Sequence, residues 1–363
     1  MSWRRRLLMA GAVGVAGVVA WVALACLGSG CSSMSYYSQS VGGHLDLMRR
    51  ARPVAEVIAD EATPAALRER LQLSQRLREF AVSELKLPDN ASYRRYAELP
   101  RAAVVWNVVA APELSLTLKT WCFPIMGCVG YRGYFHRAEA DALATELRAQ
   151  GLEADVYGVP AYSTLGWTNW LGGDPLLSTF VRWPELELAR LLFHELAHQV
   201  VYVADDTLFN ESFATAVERL GGRRWQASRS AGAAPDEVAR GEQRRHQFRE
   251  LTLASRAELS KLYASALSDA DKRQRKAEIF AQMRAGYGRL KADAWAGFAG
   301  YDAWFERANN ATLGVQAAYD DLVPGFERVF ENQGRDFDRF YAEVRRLASL
   351  PKAERQATLR RTE

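Results

Sequence analysis

The stretch "LLFHELAHQV", residues 191–200, carries two histidines and a glutamate in an otherwise apolar run. His194 and His198 are four residues apart, so both side chains project from one face of a helix and can bind a single tetrahedral metal ion. Glu195 is poorly directed toward that ion but can contact a water on its open position, as in the HExxH arrangement. A zinc ion lowers the pKa of such a water toward 7, and a carboxylate can then accept its proton. Burying these polar groups without a cation would be costly, which favours a metal site.

A catalytic zinc site needs a third protein ligand, and Glu211 in "LFNESFATAVERLG" is the best candidate. We expect the HExxH helix to run about five residues beyond His198 and residues 204–210 to form a loop. Such a loop is long enough to bring Glu211, in the first turn of the next helix, back toward the histidines. Other candidates lie upstream, on a charged helix or on the flexible loop; they are His44, His136, His246, Asp205 and Asp206.

The order of these motifs resembles the gluzincin metallopeptidases. "FNESFATAVERLG" is similar to the Asn-Glu-Gly-Phe-Ala segment of zinc aminopeptidases, in which the glutamate is the third ligand. The resemblance implies one zinc ion per chain, held by His194, His198 and Glu211, with Glu195 as the general base. Ser212 stands where that segment has glycine, and the twelve residues between His198 and Glu211 are fewer than is typical of gluzincin aminopeptidases.

The same resemblance suggests roles for residues around the metal. A ligating histidine normally donates its second N–H to an acceptor, and Thr215 or Glu218, on the helical face of Glu211, could accept it. Related peptidases stabilise the oxyanion with a tyrosine or histidine on a later helix. We assign that role to Tyr319, with Tyr287 and Tyr301 as alternatives. In gluzincins an edge strand before the metal helix pairs with the substrate, and residues 162–166 are candidates here, unless they form an ordinary loop.

The first thirty residues have the layout of a secretory signal, with Arg4, Arg5 and Arg6 followed by about twenty apolar residues. Leu27-Gly28-Ser29-Gly30-Cys31 resembles a bacterial lipobox, which implies lipidation of Cys31. Cys26 is a poorer candidate, and the apolar run is also long enough for an uncleaved anchor. Ser32 in place of an aspartate favours the outer membrane, facing the periplasm, in a Gram-negative cell.

The rest of the chain is nearly balanced in charge, because those arginines account for most of the formal net charge of +4. This composition gives no electrostatic reason to expect nucleic acid as a partner. Cys122 and Cys128 lie close together around Pro124 and Gly127. Outside the cytoplasm such a pair can form a disulfide, although two buried thiols remain an alternative.

Hydrophobic periodicity predicts an α+β protein that is mostly helical, with a small β-sheet packed on the HExxH helix and a long helical C-terminal region. The expected helices and strands are a helix over 44–86 with Thr63-Pro64 at an internal start, strands at 102–110 and 114–121, a helix over 137–151, a strand after 152, a helix from Pro184 to about 203, a second one ending at Gly221-Gly222, a charged hairpin over 235–295 and a helical C-terminus. We divide the chain into a signal peptide (1–30), a tether (31–43), a gluzincin-like core (44–225) and a helical region that completes the cleft (226–363).

The mature chain, with "YYSQSVGGHL" near its start and "HELAHQ" in its middle, resembles a family of bacterial lipoproteins described as predicted aminopeptidases. The resemblance implies a membrane-anchored zinc peptidase that acts on peptides as an aminopeptidase, with an endopeptidase as the alternative. The alternative is a non-enzymatic envelope lipoprotein with a structural or vestigial metal site, which would bind partners through its helical hairpin.

Overall fold

The computed structural model describes residues 35–123, 127–161, 163–164, 172–229 and 235–361. The chain divides into two compact units, Met1–Arg50 and Ala51–Glu363. In the first unit, residues 35–50 form one helix, α1. The predicted signal segment, Cys26 and the predicted lipidation site Cys31 lie outside the described residues. Within the described ranges, no helix combines the length and apolar character needed to cross a bilayer.

The described strands of the second unit are short. They are β1 (Arg52–Pro53), β2 (Arg95–Ala97), β3 (Val105–Pro112), β4 (Trp121–Phe123), β5 (Gly127–Val129), β6 (Arg132–Tyr134), β7 (Leu152–Val159) and β8 (Leu176–Leu177). They form a mixed sheet in the order β1-β2-β8, an antiparallel sheet in the order β6-β3-β7 and the hairpin β4-β5.

Helices make up most of the remaining described chain. They are α2 (Val54–Ala59), α3 (Ala65–Ser83), α4 (Arg137–Ala149), α5 (Glu185–Ala197), α6 (Thr207–Ser228), α7 (Pro235–Ala264), α8 (Asp269–Arg289), a π-helical turn at Leu290–Ala294, α9 (Asp302–Arg307), α10 (Asn310–Asp320), α11 (Val323–Asn332), α12 (Phe337–Ala348) and α13 (Lys352–Arg360). The predicted class, α+β and mostly helical, is therefore confirmed.

The central strand β3 is buried from Val108 to Ala111 because helices cover both faces of its sheet. Helix α4 packs against β3 and β7, and α10 packs against the same two strands and against α6. We expected this sheet to pack on the HExxH helix, but α5 packs mainly on α6 and α3. Helix α10 thus links the sheet to the helix that carries Glu211.

The strand predicted at 114–121 is wrong except for Trp121, since residues 115–120 have no regular secondary structure. Lys119 N–H bonds back to β3 at the carbonyl of Ala110, and Ser115 N–H donates to the carbonyl of Pro112 at the end of that strand. The reason is side-chain packing. Leu118 fills space that a Cβ would take at Gly130 and Gly314, so this segment packs on α10 instead of extending a sheet.

The helix predicted over 44–86 is interrupted at Arg52–Pro53, because proline favours an extended residue before it. Arg52 pairs with Tyr96 of β2 instead. Thr63 does not cap α3 as predicted. Its hydroxyl donates to the carbonyl of Val57, and Pro64 occupies the N-cap position.

The two helices of the predicted metal site differ from expectation at their ends. Helix α5 ends at Ala197, with His198 as its C-cap, and does not continue to residue 203. Helix α6 begins at Thr207, where the Asp206 side chain accepts from Phe209 N–H, so Glu211 lies in the second turn. Both ends of the connecting loop therefore lie earlier in the chain than predicted. The loop still returns the chain to α5, so that Glu211 lies beside the histidines.

Gly221 and Gly222 do not end α6 but lie inside it, where the helix passes close to α5. A Cβ on Gly221 would be 2.8 Å from Phe193 Cδ2, and one on Gly222 would be 3.2 Å from Arg190 Nε. The pair therefore serves helix packing, which holds the histidine helix against the glutamate helix.

The predicted charged hairpin is present as α7 and α8, and the C-terminal region is helical as expected. The hairpin is less solvated than we expected, because its apolar residues join a core of aromatic side chains that includes Phe280, Trp295 and Phe305. In the C-terminal region, Phe326 of α11 packs against Phe213 of α6.

Candidate metal centre

His194, His198 and Glu211 converge at the place where α5 and α6 pack together. Glu211 Oε2 lies 3.3 Å from His194 Nε2 and 3.6 Å from His198 Nε2. The two imidazole rings are nearly perpendicular, with centroids 4.9 Å apart. All three side chains are buried, and one ligand atom from each lies within 4.8 Å of the other two. The structure thus places the three predicted ligands around one point.

This arrangement fits a small tetrahedral cation. Ligand atoms at 2.0–2.1 Å from a tetrahedral zinc ion are about 3.3–3.4 Å apart, close to the two observed separations. The donor set of two imidazoles and one carboxylate is also the set found in catalytic zinc sites. The His–His–Glu group can therefore hold a metal ion, and its ligand types suit zinc.

Glu218, two helical turns after Glu211 on α6, contacts the first histidine. Its Oε2 atom lies 3.2 Å from His194 Nδ1, the ring nitrogen that faces away from Glu211. Thr215, the alternative acceptor, makes no such contact, and its buried hydroxyl has no hydrogen-bond partner among the described residues. The same holds for Nδ1 of His198. The structure thus selects Glu218 from the two predicted acceptors.

Charge coupling in this cluster is strong. Burial alone would lower the pKa of His194, but the Glu211 and Glu218 carboxylates raise it well above its usual range. Burial would raise the pKa of Glu211, yet the two imidazoles hold it well below its usual range. Burial likewise opposes ionisation of Glu218, whose pKa is lowered by His194. The two carboxylates are therefore anionic, as metal binding and its support require.

Glu195 is half-buried on α5 beside the first ligand. Its carboxylate makes no hydrogen bond or ion pair in the described part of the chain. Its charge helps to raise the pKa values of Tyr131, Tyr319 and Asp174, after the larger effect of burial. Glu195 thus lies among the groups that surround the His–His–Glu cluster, with its carboxylate available to a water molecule.

Tyr319 of α10 stacks on His194, with ring centroids 6.1 Å apart and an interplanar angle of 22°. Burial and the charge of Glu211 raise its pKa well above the usual range, so its hydroxyl stays protonated at neutral pH. The alternatives, Tyr287 and Tyr301, lie instead in the hairpin core. Tyr287 stacks on Phe305 and Tyr301 packs in the same cluster.

Three further tyrosines near Glu211 were not found from the sequence. Tyr131 and Tyr157 pack against the β3–α10 interface, and Tyr202 follows α5. Burial is the main cause that raises their pKa values, to about 12 for Tyr157 and Tyr202 and well above the usual range for Tyr131, and the charge of Glu211 adds to it in each case. The spacing of tyrosines in the sequence could not have revealed that Tyr131 and Tyr157 lie near Glu211, because the fold of the sheet brings these distant residues together.

The rival ligands have other roles. Asp206 caps α6 and forms a buried ion pair with Arg355, and Asp205 accepts from Cys128 N–H. His136 is exposed at the start of α4, and exposed His246 pairs with Glu250. His44 belongs to the first unit.

Cys122 and Cys128 form a disulfide that joins β4 to β5. The two strands are antiparallel, and these two residues are directly opposite each other. The expected alternative of two free thiols does not apply in this structure. Cys122 is exposed and Cys128 half-buried.

Most of the proposed substrate edge, residues 162–166, lies outside the described residues. Ser163 and Thr164 are described, and Asp174 holds them in place. Its carboxylate accepts from Thr164 N–H at 3.0 Å, from the Thr164 hydroxyl at 2.7 Å and from the Ser163 hydroxyl at 3.5 Å. Burial raises the pKa of Asp174 to about 6, against the lowering effect of these bonds. Sequence reasoning did not identify Asp174.

A family model described as "Putative aminopeptidase" matches residues 35–359, which is most of the chain. No curated protein and no solved structure matches it.

Proposed function

Since the chain belongs to the family described as "Putative aminopeptidase", we propose that it is a zinc-dependent peptidase. Family membership supports peptidase activity in general terms. The zinc mechanism is carried by one observation, the convergence of His194, His198 and Glu211 beside an available Glu195. His194 and His198 would each hold the ion through Nε2, and Glu211 through its carboxylate. When bound, zinc would polarise the scissile carbonyl and acidify a water molecule.

The chain's own residues would perform the proton transfers. Glu195 would accept a proton from the attacking water and pass it to the leaving amine, as a general base and then a general acid. Glu218 would keep the His194 ring oriented through Nδ1, which stabilises the ligand geometry. Tyr319, protonated at neutral pH, would donate its hydroxyl to the carbonyl oxygen as negative charge develops there. Burial of the site strengthens each of these interactions.

The N-terminal sequence supports a proposal for the position of the enzyme in the cell. We propose that a lipid on Cys31 anchors the chain to a membrane of the cell envelope, and that the chain faces the periplasm from the outer membrane. Peptides in that compartment would be its substrates, with no role for nucleic acid. Labelling cells with a fatty-acid analogue tests this, because a Cys31→Ser chain should lose the label that the native chain takes up.

The proposed chemistry is tested on the purified full-length chain in detergent, with zinc content and peptide hydrolysis measured together. We expect one zinc ion per chain in the native protein and in Glu195→Gln, but a fall of roughly 10²–10⁴-fold in hydrolysis in that variant. His194→Ala should lose the zinc. Glu250→Gln, which alters an exposed His–Glu pair, is the matched control and should change neither quantity.

The outcomes separate the proposal from its rival. Hydrolysis by Glu195→Gln at the native rate would rule out Glu195 as the base. A native chain that holds no zinc would rule out the metal site. Stoichiometric zinc without hydrolysis of any peptide in a diverse library would favour a non-enzymatic envelope protein.

Specificity for a free N-terminus is a finer proposal that follows from the family description. An aminopeptidase must bind the substrate's ammonium group, so N-acetylation of a peptide should sharply lower its kcat/KM. Comparing each peptide with its acetylated form tests this. Equal cleavage of both forms would indicate an endopeptidase with the same zinc chemistry.

A further inference from the structure

The segment between the two ligand helices determines how His198 and Glu211 face each other. Helix α5 ends immediately before His198, and α6 begins at Thr207, so residues 199–206 are the only direct connection. A ligand placed at the end of an element depends on what holds the adjacent chain.

The disulfide hairpin β4-β5 hydrogen-bonds to this segment. Cys128 N–H donates to Asp205 Oδ1 at 2.6 Å, across a large separation in sequence. Gly127 makes this approach possible. A Cβ at that position would lie 2.6 Å from Asp205 Oδ1 and 2.7 Å from Asp205 N. The φ of Gly127, +71°, favours glycine as well.

Helix α13 also contacts the segment, through two basic side chains. Lys352 Nζ donates to the Asp205 carbonyl at 2.5 Å, and Arg355 Nε to Asp206 Oδ2 at 2.8 Å. Asp205 itself has a φ of +65°, an uncommon left-handed conformation for a residue with a side chain. Contacts on both sides hold this conformation in place.

The held segment is linked directly to the third ligand. The Asn210 side chain accepts from Val203 N–H at 2.8 Å and donates to the Val203 carbonyl at 2.7 Å. Asn210 precedes Glu211 in α6, so a shift of residues 203–206 moves the turn that carries the ligand. Strand β5 of the hairpin is also followed closely by Tyr131, which packs against the buried residues of β3 and α10.

We infer that Asp205 is a positioning residue for the metal site and that the Cys122–Cys128 disulfide makes zinc affinity depend on its oxidation state. This inference rests on the proposed zinc site. The disulfide fixes the two strands of the hairpin, and the fixed hairpin presents Cys128 N–H and Gly127 to Asp205. Cys122 is exposed, so a reductant can reach the bond. A trialkylphosphine reduces it to two thiols and becomes the phosphine oxide, with the oxygen atom taken from water.

The test measures zinc affinity by competition with a chromophoric chelator, on the full-length chain in detergent. All proteins carry Cys26→Ser and Cys31→Ser. Of the four cysteines in the sequence, only Cys122 and Cys128 then remain to react. The double variant Cys122→Ser/Cys128→Ser lacks the bond without adding thiols that could bind zinc. It is compared with Asp205→Ala, with the combined triple variant and with phosphine-treated protein. Far-UV circular dichroism verifies that each protein is folded.

We expect loss of the disulfide, or of the Asp205 side chain, to weaken zinc binding by about tenfold or more, the usual effect of outer-shell changes. The triple variant should bind zinc as Asp205→Ala does, because both changes break the same contact. Asp205→Asn keeps an acceptor for Cys128 N–H and should largely restore affinity. Asp141→Ala, which removes an exposed ion pair on α4, is the control and should have no effect.

Each contrary result has a distinct meaning. If the native chain binds zinc tightly and neither change affects its affinity, the inference is wrong while the proposed function stands. If the two changes weaken binding independently, the coupling does not pass through Asp205 and the inference is also wrong. A native chain without zinc affinity overturns both proposals. If the double variant fails to fold, the phosphine-treated protein and Asp205→Ala still give the answer.

Discussion

His194 Nδ1 and Glu218 Oε2 lie 3.2 Å apart, which ties the histidine helix α5 to the helix that carries Glu211. Glu218 follows Glu211 by two helical turns, so one face of α6 provides both a ligand and the support for another ligand. Because Nδ1 is engaged by Glu218, Nε2 of His194 is the nitrogen left to bind metal.

Glu218→Gln should weaken zinc binding by roughly 10–100-fold, because the neutral amide orients the imidazole less firmly and adds no negative charge. Competition titration against a zinc chelator measures this. The matched control is Glu250→Gln, since the His246–Glu250 pair is exposed on α7. Equal zinc affinity in Glu218→Gln and the native chain would show that this carboxylate does not support the ligand.

Tyr319→Phe should lower kcat by roughly 10²-fold while leaving zinc affinity unchanged, because the ring still stacks on His194 but the oxyanion donor is lost. Steady-state peptide hydrolysis and zinc titration measure the two quantities. Tyr341→Phe is the control. Its buried hydroxyl donates to the Leu85 carbonyl, so that variant should lose about 1 kcal/mol of stability and keep its activity. A native kcat in Tyr319→Phe would assign the donor to another group.

The grouping of His194, His198 and Glu211 could be predicted from the sequence because helical periodicity places residues four apart on one face. His194 and His198 needed only that rule, and Glu211 needed only a short return connection. The predicted ends of the helices were wrong, because apolar residues 200–203 continue the pattern of α5. The Asn210 side chain binds the backbone of Val203 instead, and this contact is not visible in a local pattern.

Residues from the sheet and the loops could not be predicted at all. Tyr131, Tyr157 and Asp174 reach the site through strand pairing and buried hydrogen bonds between distant segments. Periodicity also could not choose between Thr215 and Glu218, which share a helical face, since only the structure shows which side chain contacts the imidazole. Gly221 was misread because glycine that allows helix packing has the same local pattern as glycine that ends a helix.

Gly221→Ala should destabilise the protein although alanine is the better helix former. The added Cβ would lie 2.7 Å from Leu85 Cδ1 and 2.8 Å from Phe193 Cδ2, and both side chains are fully buried. Overpacking costs about 1–3 kcal/mol, more than the ~1 kcal/mol gained in helix propensity. Urea unfolding measures the difference. Gly288→Ala in α8, where a Cβ meets nothing within 4 Å, should instead be stabilising. Stabilisation by both changes would contradict this view of the α5–α6 contact.

Asp174 should make the protein less stable as pH rises through the acidic range. Its pKa is raised from 3.8 to about 6, chiefly by burial and also by the charge of Glu195, so between these values the folded chain binds a proton that the unfolded chain has released. The contribution of Asp174 to the free energy of unfolding therefore falls between about pH 4 and pH 6 and stays low above it.

Asp174→Asn cannot ionise and lacks this pH dependence. From pH 4 to pH 7 the stability of the native chain should fall relative to Asp174→Asn by about 2 kcal/mol, whatever constant offset the lost hydrogen bonds add. Urea unfolding of the metal-free proteins across this range measures the difference, and exposed Asp141→Asn should run parallel to the native chain. Parallel curves for Asp174→Asn as well would mean that Asp174 is not held charged against its burial. A curve with the expected slope would show that the protein maintains, at neutral pH, an unfavourable charge on Asp174, whose carboxylate accepts hydrogen bonds from Thr164.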